Sequence, residues 1–179
     1  MTKWNLGESG SRAGRAMPAD AAPARALHMA IVADMESFLM QLDVGLAFVA
    51  RQKRLRIDND DHTLDLLFFH RKLRRLVALV MTLDESCVIS ERQMESCLRW
   101  LDKSDRRAEE ATPLGMILCA GTQTEYIQLL ALTPSGVEAA QYPTDLPPRA
   151  VLAQRLQQAA RRARARLEQR ASQSSTMPS

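Results

Sequence analysis

The chain has 179 residues, which suits one domain with tails, and 46% of them are hydrophobic, enough to bury a core. The formal net charge is only +3, and no apolar stretch approaches the ~20 residues of a membrane-spanning helix. The N-terminus also lacks the apolar segment of a secretory signal, so we predict a cytoplasmic protein with no membrane partner.

The first predicted element is an amphipathic helix. Residues 1–25 are rich in Gly, Ser, Ala, Arg and Pro without periodicity and are predicted to form a disordered leader. From Ala26 to about Asp43 the apolar residues recur at helical spacing, and Gly45 follows as a stop signal. A folded domain is therefore expected over residues 26–143.

Three strands are predicted next. Residues 46–57 are strand-like but carry four basic side chains, too many for a fully buried strand. Residues 62–70 and 76–83 are apolar on both faces, which indicates central strands covered on both sides. The acidic stretch 58–61 and the basic stretch 71–75 are the predicted turns between them.

The second half repeats the alternation of helix and strand. A helix is predicted over 86–103, strands over 114–120 and 126–132, and a short edge strand over 137–142. Prolines at 143, 147 and 148 precede a basic amphipathic helix within residues 144–171, and residues 172–179 are a predicted disordered tail. The order helix, three strands, helix, strands, helix implies an α/β domain, a mixed sheet flanked by helices.

The last helix concentrates positive charge. Between Arg149 and Arg170 there are seven arginines and one acid, Glu168. Such a cluster favours phosphate backbones or acidic partners, and a solvated helix face explains it equally well. An apolar stripe from Leu152 to Leu167 leaves open a third role, in a homo-oligomer or scaffold.

The cysteines and histidines carry no recognisable site. Cys87, Cys97 and Cys119 are scattered without a CxxC pair, which argues against a disulfide framework and a zinc site and fits a reducing compartment. Cys97 and Cys119 are interpreted as core thiols. The histidines at 28, 62 and 70 share no ligand spacing and are interpreted as surface or strand-end residues.

Four blocks of sequence occur in a characteristic order. They are GLAFVARQ at 45–52, DLLFFHRKLRRLVAL at 65–79, QM at 93–94 and LGMILC at 114–119. Together, from about Ala26 to Tyr142, they resemble the C-terminal nuclease domain of the YhcG-type PD-(D/E)XK family. The resemblance implies a restriction-endonuclease-like fold with an α-β-β-β-α-β core and magnesium-dependent cleavage of DNA.

The catalytic pattern of that family is mostly missing from this sequence. The resemblance implies an aspartate on the second strand, which Asp65 matches, and Glu-x-Lys on the third strand, where Val80 and Thr82 stand instead. Gln41 replaces a glutamate of the first helix, and Gln93 matches a polar position of the second helix. Asp65 and Gln93 are therefore candidates for a vestigial catalytic site.

This loss has a chemical consequence for metal binding. Valine offers no lone pair, threonine carries no positive charge, and one carboxylate holds Mg²⁺ weakly because this ion dehydrates reluctantly. No cofactor is therefore expected, or Mg²⁺ at Asp65 if the domain is active. Relocated ligands remain an alternative, since Asp84 and Glu85 follow the third strand and Glu36 lies on the first helix.

Basic residues are the candidates for nucleic-acid contacts. Phosphate contacts give affinity without sequence readout, and the alternative is a solvated edge and turn. The candidates are Arg51, Lys53, Arg71, Lys72, Arg74, Arg75, Arg161 and Arg162.

The sequence thus favours a nuclease-fold domain that binds without cutting. The partner is predicted to be nucleic acid, with DNA the first candidate, or a protein of a DNA-processing, mobile-element or defence system. The alternatives are an active endonuclease with relocated carboxylates and an oligomerisation protein. The neighbours of Asp65 discriminate, because converging acids favour catalysis whereas an apolar or arginine-paired setting opposes it.

Overall fold

The computed structural model describes residues 21–83, 88–121 and 125–176, and within these ranges it has three helices and six strands. None of these helices is long and apolar enough to cross a membrane. In chain order the elements are α1 (Ala21–Gln41), β1 (Leu46–Ile57), β2 (Asp60–His70), β3 (Arg75–Thr82), α2 (Val88–Ser104), β4 (Leu114–Ala120), β5 (Glu125–Thr133), β6 (Gly136–Ala139) and α3 (Arg149–Ser175).

The six strands form one sheet in their sequence order. All neighbouring strands are antiparallel except β3 and β4, which are parallel because α2 returns the chain to the starting edge between them. The prediction of a mixed sheet with helices is therefore confirmed. The parallel pair runs in register from Val77↔Leu114 to Thr82↔Cys119, so both strands end at the same edge.

Helices cover both faces of the sheet. Residues of α1 and α3 form one buried cluster with residues such as Phe68 and Leu79, and residues of α2 form a second cluster with residues such as Leu67 and Ile117. β3 and β4 are buried along almost their whole length. Their unbroken apolar sequences follow from this position, since a strand covered on both faces has no polar side.

The second helix packs unusually close to β4. A Cβ atom added at Gly115 would lie 2.6 Å from Cγ and Sδ of Met94 and 3.1 Å from a methyl group of Leu98. Real Cβ atoms do not approach that closely, so the absence of a side chain at this glycine is what allows the contact. Alanine at this position would force α2 outward or displace the methionine.

Two helices extend further than predicted. α1 begins at Ala21, where an alanine-rich stretch with Pro23 in the first turn suits a helix start. α3 continues to Ser175, and the hydroxyls of Ser172 and Ser174 donate to carbonyls four residues earlier. Composition hid the extension of α3, because the serines that indicated a tail satisfy helix carbonyls with their own side chains.

The cysteines correct another expectation. Cys119, on β4, is disulfide-bonded, so the interpretation of it as a free core thiol was wrong. Cys97 is free and fully buried as expected, and burial raises the pKa of its thiol to about 12. Sequence spacing cannot reveal such a bond, because the approach of two Cβ atoms is decided by the fold.

Candidate functional site

The candidate site lies where β2 and β3 separate. Their pairing runs from His70↔Arg75 to Leu66↔Leu79, and Asp65 is the next residue of β2. Leu64 and Leu66 belong to opposite core clusters although they are two residues apart, so β2 departs from regular alternation at Asp65. The carboxylate is thereby turned toward the ends of the neighbouring strands.

Three donors surround the Asp65 carboxylate, which is only 4% exposed as a residue. Its Oδ1 atom lies 2.8 Å from Nε2 of both His28 and Gln52, and its Oδ2 atom accepts the backbone N–H of Met81 at 2.8 Å. Because an ionised carboxylate only accepts, His28 and Gln52 donate through these nitrogens. These three hydrogen bonds offset the burial of the carboxylate.

Gln52 reaches Asp65 from a strained backbone conformation. Its φ is +49°, in the left-handed region that costs a non-glycine residue about 1–2 kcal/mol. The residues on either side pair as Arg51↔Leu66 and Lys53↔Leu64, so Gln52 stands opposite Asp65. Strain of this kind persists where the surroundings hold a residue in place, and here the hydrogen bond to the carboxylate contributes to that.

A pocket of about 620 Å³ opens beside this carboxylate. Its walls come from α1, β1, β2, β3 and α2, and Asp65 is the one acidic residue among the described residues that line it. Positive charge comes from Arg25 on α1 and Arg54 on β1, and polar groups come from Thr63 and Ser90.

The pocket brings together most of the site residues that the sequence predicted. Asp65, Val80, Thr82 and Gln93 all line it, and Gln93 donates from Nε2 to the carbonyl of Thr63 at 3.2 Å. Val80 is 5% exposed and also belongs to the core under α2.

Gln41 does not join them, because it is the last residue of α1, whereas the α1 residues that line the pocket lie between positions 24 and 29. Sequence reasoning missed His28, Gln52 and Arg25. The interpretation of His28 as an ordinary surface residue was wrong, since it bonds directly to Asp65.

The described residues do not fit a magnesium ion. Within residues 21–83, 88–121 and 125–176, no three His, Cys, Asp or Glu side chains are grouped as metal ligands. Both oxygens of Asp65 are already hydrogen-bonded, and Glu36 is held by Arg51 through two contacts of 2.6 Å outside the pocket lining. Asp84 and Glu85, the other proposed replacement ligands, lie outside the described residues.

Comparison with known proteins connects this geometry to a family. The family model of the YhcG PDDEXK nuclease domain matches residues 17–158, more than half of the chain. The chain belongs to this family. A protein of Escherichia coli (strain K12) named "Putative nuclease YhcG" is 34% identical over 129 residues, which are 71% of this chain and 34% of the relative.

The match to this relative covers most of the present chain and a smaller part of the relative. The chain spans about a third of the length of this curated relative. No solved structure matches the chain. The family match ends at residue 158, so the arginine-rich second half of α3 lies beyond it.

The basic residues predicted for nucleic-acid binding fall into separate places on this YhcG-type domain. Arg51 and Lys53 lie on β1 and are paired with Glu36 and Asp105, at 2.6 and 2.8 Å. The four basic residues between 71 and 75 follow the last residue of β2, whereas Asp65 lies at the middle of that strand.

Within that turn the side chains are held to different degrees. Lys72 pairs with Asp145 at 2.7 Å, and its hydrogen bond to this carboxylate raises the pKa of Lys72. Arg75 donates to the backbone and side-chain oxygens of Thr112, and burial lowers the pKa of its guanidinium. Arg71 and Arg74 are exposed. This turn is therefore a separate basic surface, remote from the pocket.

The basic half of α3 lies at the pocket end of the sheet. Arg164 donates at 3.5 Å to the carbonyl of Gly121, the residue that follows β4. β3 ends at this same edge, and its last residue, Thr82, lines the pocket. Arg161 and Arg162 are exposed, and Arg162 has a long contact of 3.5 Å with Asp34.

Proposed function

We propose that this domain binds nucleic acid, DNA being the first candidate, through phosphate groups and does not hydrolyse it. The observation that carries the proposal is that both oxygens of Asp65 already accept hydrogen bonds, from His28, Gln52 and the Met81 amide. Restriction-endonuclease-like chemistry, with the α-β-β-β-α-β core that we also propose here, needs carboxylates free to hold a divalent ion. In this pocket the matching carboxylate is occupied by donors.

The substitutions on β3 support the same conclusion. Val80 is buried against the apolar core under α2, where it contributes packing and no ligand atom. A nuclease of this type would use an acid there and a base two residues later to hold the ion and the attacking water. With those groups absent, phosphate affinity has to come from fixed positive charge.

Positive charge is available at the pocket edge of the sheet. Five arginines occur between residues 161 and 170, and all but Arg164 are exposed. Arg25 and Arg54 add positive charge at the pocket itself. Contacts from such side chains to a phosphate backbone give affinity that does not depend on base sequence and that falls steeply with salt.

The apolar stripe of α3 supports this assignment over oligomerisation. Leu152, Leu156, Ala159, Ala160 and Ala163 are buried against α1 and the sheet of the same chain. The helix therefore uses its apolar face within the domain and leaves its arginines outside. A homo-oligomer is accordingly not part of the proposal.

The test combines cleavage with binding on the purified full chain. Supercoiled and linear DNA are incubated with Mg²⁺ or Mn²⁺, and binding of a labelled duplex is followed by fluorescence anisotropy in EDTA at several salt concentrations. We expect no cleavage, together with binding that needs no metal and weakens linearly in log affinity against log salt.

Cleavage that disappears in Asp65→Ala would overturn the proposal, and so would the absence of any DNA binding. Cleavage that instead requires Asp84 or Glu85, tested by Asp84→Asn and Glu85→Gln, would establish the relocated metal site. Asp58→Asn, in the exposed turn after β1, is the matched control for loss of a carboxylate.

A further inference from the structure

We propose that the pocket beside Asp65 is an anion site that receives one phosphate group of the nucleic acid directly, with protein cations in the place of a metal ion. This inference rests on the proposed function and names the group that the pocket recognises. The phosphate is either an internal phosphodiester or a terminal phosphomonoester, two sources with the same charge and hydrogen-bond acceptors.

Two arginines supply the positive charge from different elements. Arg25 approaches from α1 and Arg54 from β1, both line the pocket, and both are exposed. Neither has an ion pair with any other residue in the part of the chain that the structure describes. By contrast, Arg51 and Lys53 on the same strand are each held by an acidic side chain. The cations at the pocket therefore remain available to a ligand.

The one described carboxylate of the pocket does not oppose an anion as a free charge would. Its oxygens are directed to His28, Gln52 and the Met81 N–H, so that its charge is spread over three donors. The same bonds fix His28 and Gln52 in the wall of the pocket. Asp65 thus acts here as a positioning residue for polar groups and leaves the net charge of the described lining positive.

A serine hydroxyl adds a neutral donor to the site. Ser90 is only 8% exposed as a residue and lines the pocket, and its side chain has no hydrogen bond to any residue within the described ranges. Its hydroxyl oxygen is not among the buried polar atoms that lack a partner, so the hydroxyl is open to the pocket. A phosphate oxygen in the pocket would accept its hydrogen bond in place of water.

The location of Ser90 adds a further attraction for an anion. It belongs to the first turn of α2, a helix of 17 residues that begins at Val88. The first N–H groups of a helix have no partner within the helix, and the aligned peptide dipoles make this end positive. Anions bind at such helix ends for both reasons. Two arginines, a serine hydroxyl open to the pocket and a helix end therefore converge on one cavity.

The test uses the full chain in EDTA with short labelled oligonucleotides that carry a 5′-phosphate or a 5′-hydroxyl. Arg54→Gln removes a pocket cation, and Arg56→Gln is the matched control, because Arg56 lies two residues along the same strand, is exposed and does not line the pocket. Circular dichroism and thermal unfolding confirm that both variants are folded.

We expect Arg54→Gln to weaken binding about tenfold, since it removes a charge-assisted hydrogen bond, and Arg56→Gln to weaken it by less than about twofold. Ser90→Ala should weaken binding by several-fold without the change in salt dependence that the arginine variant produces. Inorganic phosphate should compete with the oligonucleotide on the wild type and lose that effect on Arg54→Gln.

The two oligonucleotides distinguish the source of the phosphate. A terminal site binds the 5′-phosphorylated strand more tightly, and Arg54→Gln removes that advantage. A backbone site binds both strands equally, with the same tenfold loss in the variant. Equal weakening by Arg54→Gln and Arg56→Gln would overturn the pocket as the phosphate site while leaving the proposed function intact. Binding that requires Mg²⁺ would overturn the metal-free site, and cleavage would overturn the proposed function itself.

Discussion

β2 buries two polar side chains, Asp65 at the middle of the strand and His70 at its last residue, and the two have different roles. Asp65 is 4% exposed and His70 is fully buried, in a strand that is otherwise apolar between them. Asp65 meets three donors at the rim of a pocket. His70 accepts the N–H of Leu73 at Nδ1, 3.1 Å away, and donates from Nε2 to the carbonyl of Asp145 at 2.9 Å.

His70 connects two segments of the chain through its side chain. The imidazole links the turn after β2 to the loop before α3, and in that loop the Tyr142 hydroxyl donates to the carbonyl of Pro147. Arg149 lies over the Tyr142 ring, 5.0 Å from its centroid, and burial raises the pKa of this tyrosine to about 12.

Around Asp65, by contrast, the described residues leave a cavity of about 620 Å³ beside the three donors. Both buried polar residues of β2 therefore have hydrogen-bond partners. Only Asp65 has a cavity beside those partners, among the described residues, and this cavity is the candidate binding site.

The largest loss of stability is expected when His70 is replaced. His70→Ala leaves the Leu73 N–H and the Asp145 carbonyl without their partner and opens a cavity, so it should lower the free energy of unfolding by about 3–4 kcal/mol. Urea unfolding measures this loss. His62→Ala, on the same strand and only half-buried, should cost less than about 1 kcal/mol. Similar losses in both variants would mean that His70 is not a structural joint.

A smaller loss of stability is expected when Asp65 is replaced. Asp65→Ala should lower the free energy of unfolding by about 2 kcal/mol, because the Met81 N–H stays buried while the half-buried His28 and Gln52 can turn to water. Phosphate binding should respond in the opposite direction. Asp65→Asn removes negative charge from the pocket and should tighten oligonucleotide binding in EDTA about threefold. Loss of binding in this variant would instead show that the site depends on the bonds by which the Asp65 carboxylate holds His28 and Gln52.

The two halves of α3 differ in how their arginines are placed: those of the second half are mostly exposed, whereas Arg155 in the first half is partly buried. Replacing Arg161, Arg166 and Arg170 with glutamine should weaken duplex binding about tenfold and reduce the salt dependence, with no change in unfolding temperature, because all three are exposed. Arg155→Gln is the control with the reverse outcome. Arg155 pairs with Asp34 at 2.7 Å and lies over Phe38, so its loss should lower stability and leave binding unchanged.

The smallest effect is expected for Lys72, which contacts the same residue, Asp145, as His70 does. Asp145 accepts from His70 through its backbone and from the exposed Lys72 through its side chain. Exposed ion pairs contribute little, because water and salt screen them. Lys72→Ala should therefore leave the urea midpoint unchanged, in contrast to His70→Ala. A clear shift of the urea midpoint would show that the connection made by His70 also depends on the exposed ion pair between Lys72 and Asp145.

Sequence patterns located the strands well and the site only in part. The predicted strands 46–57 and 114–120 agree with the observed bounds, because turn residues and prolines delimit clear apolar runs. Resemblance to the family pointed to Asp65, Val80, Thr82 and Gln93, and the fold brings these four together. The donors to Asp65 were missed, since His28 lies 37 residues away on another element and no periodicity connects the two.

The sequence by itself determined a mixed α/β sheet and its central apolar strands. These features are local, because each depends on residue type and on spacing within one element. Tertiary structure alone decided that donors contact both oxygens of the Asp65 carboxylate, that Arg51 is paired while Arg54 has no ion pair with any described residue, and that Cys119 is disulfide-bonded. Such pairings depend on distances between elements, and the chain order does not contain those distances.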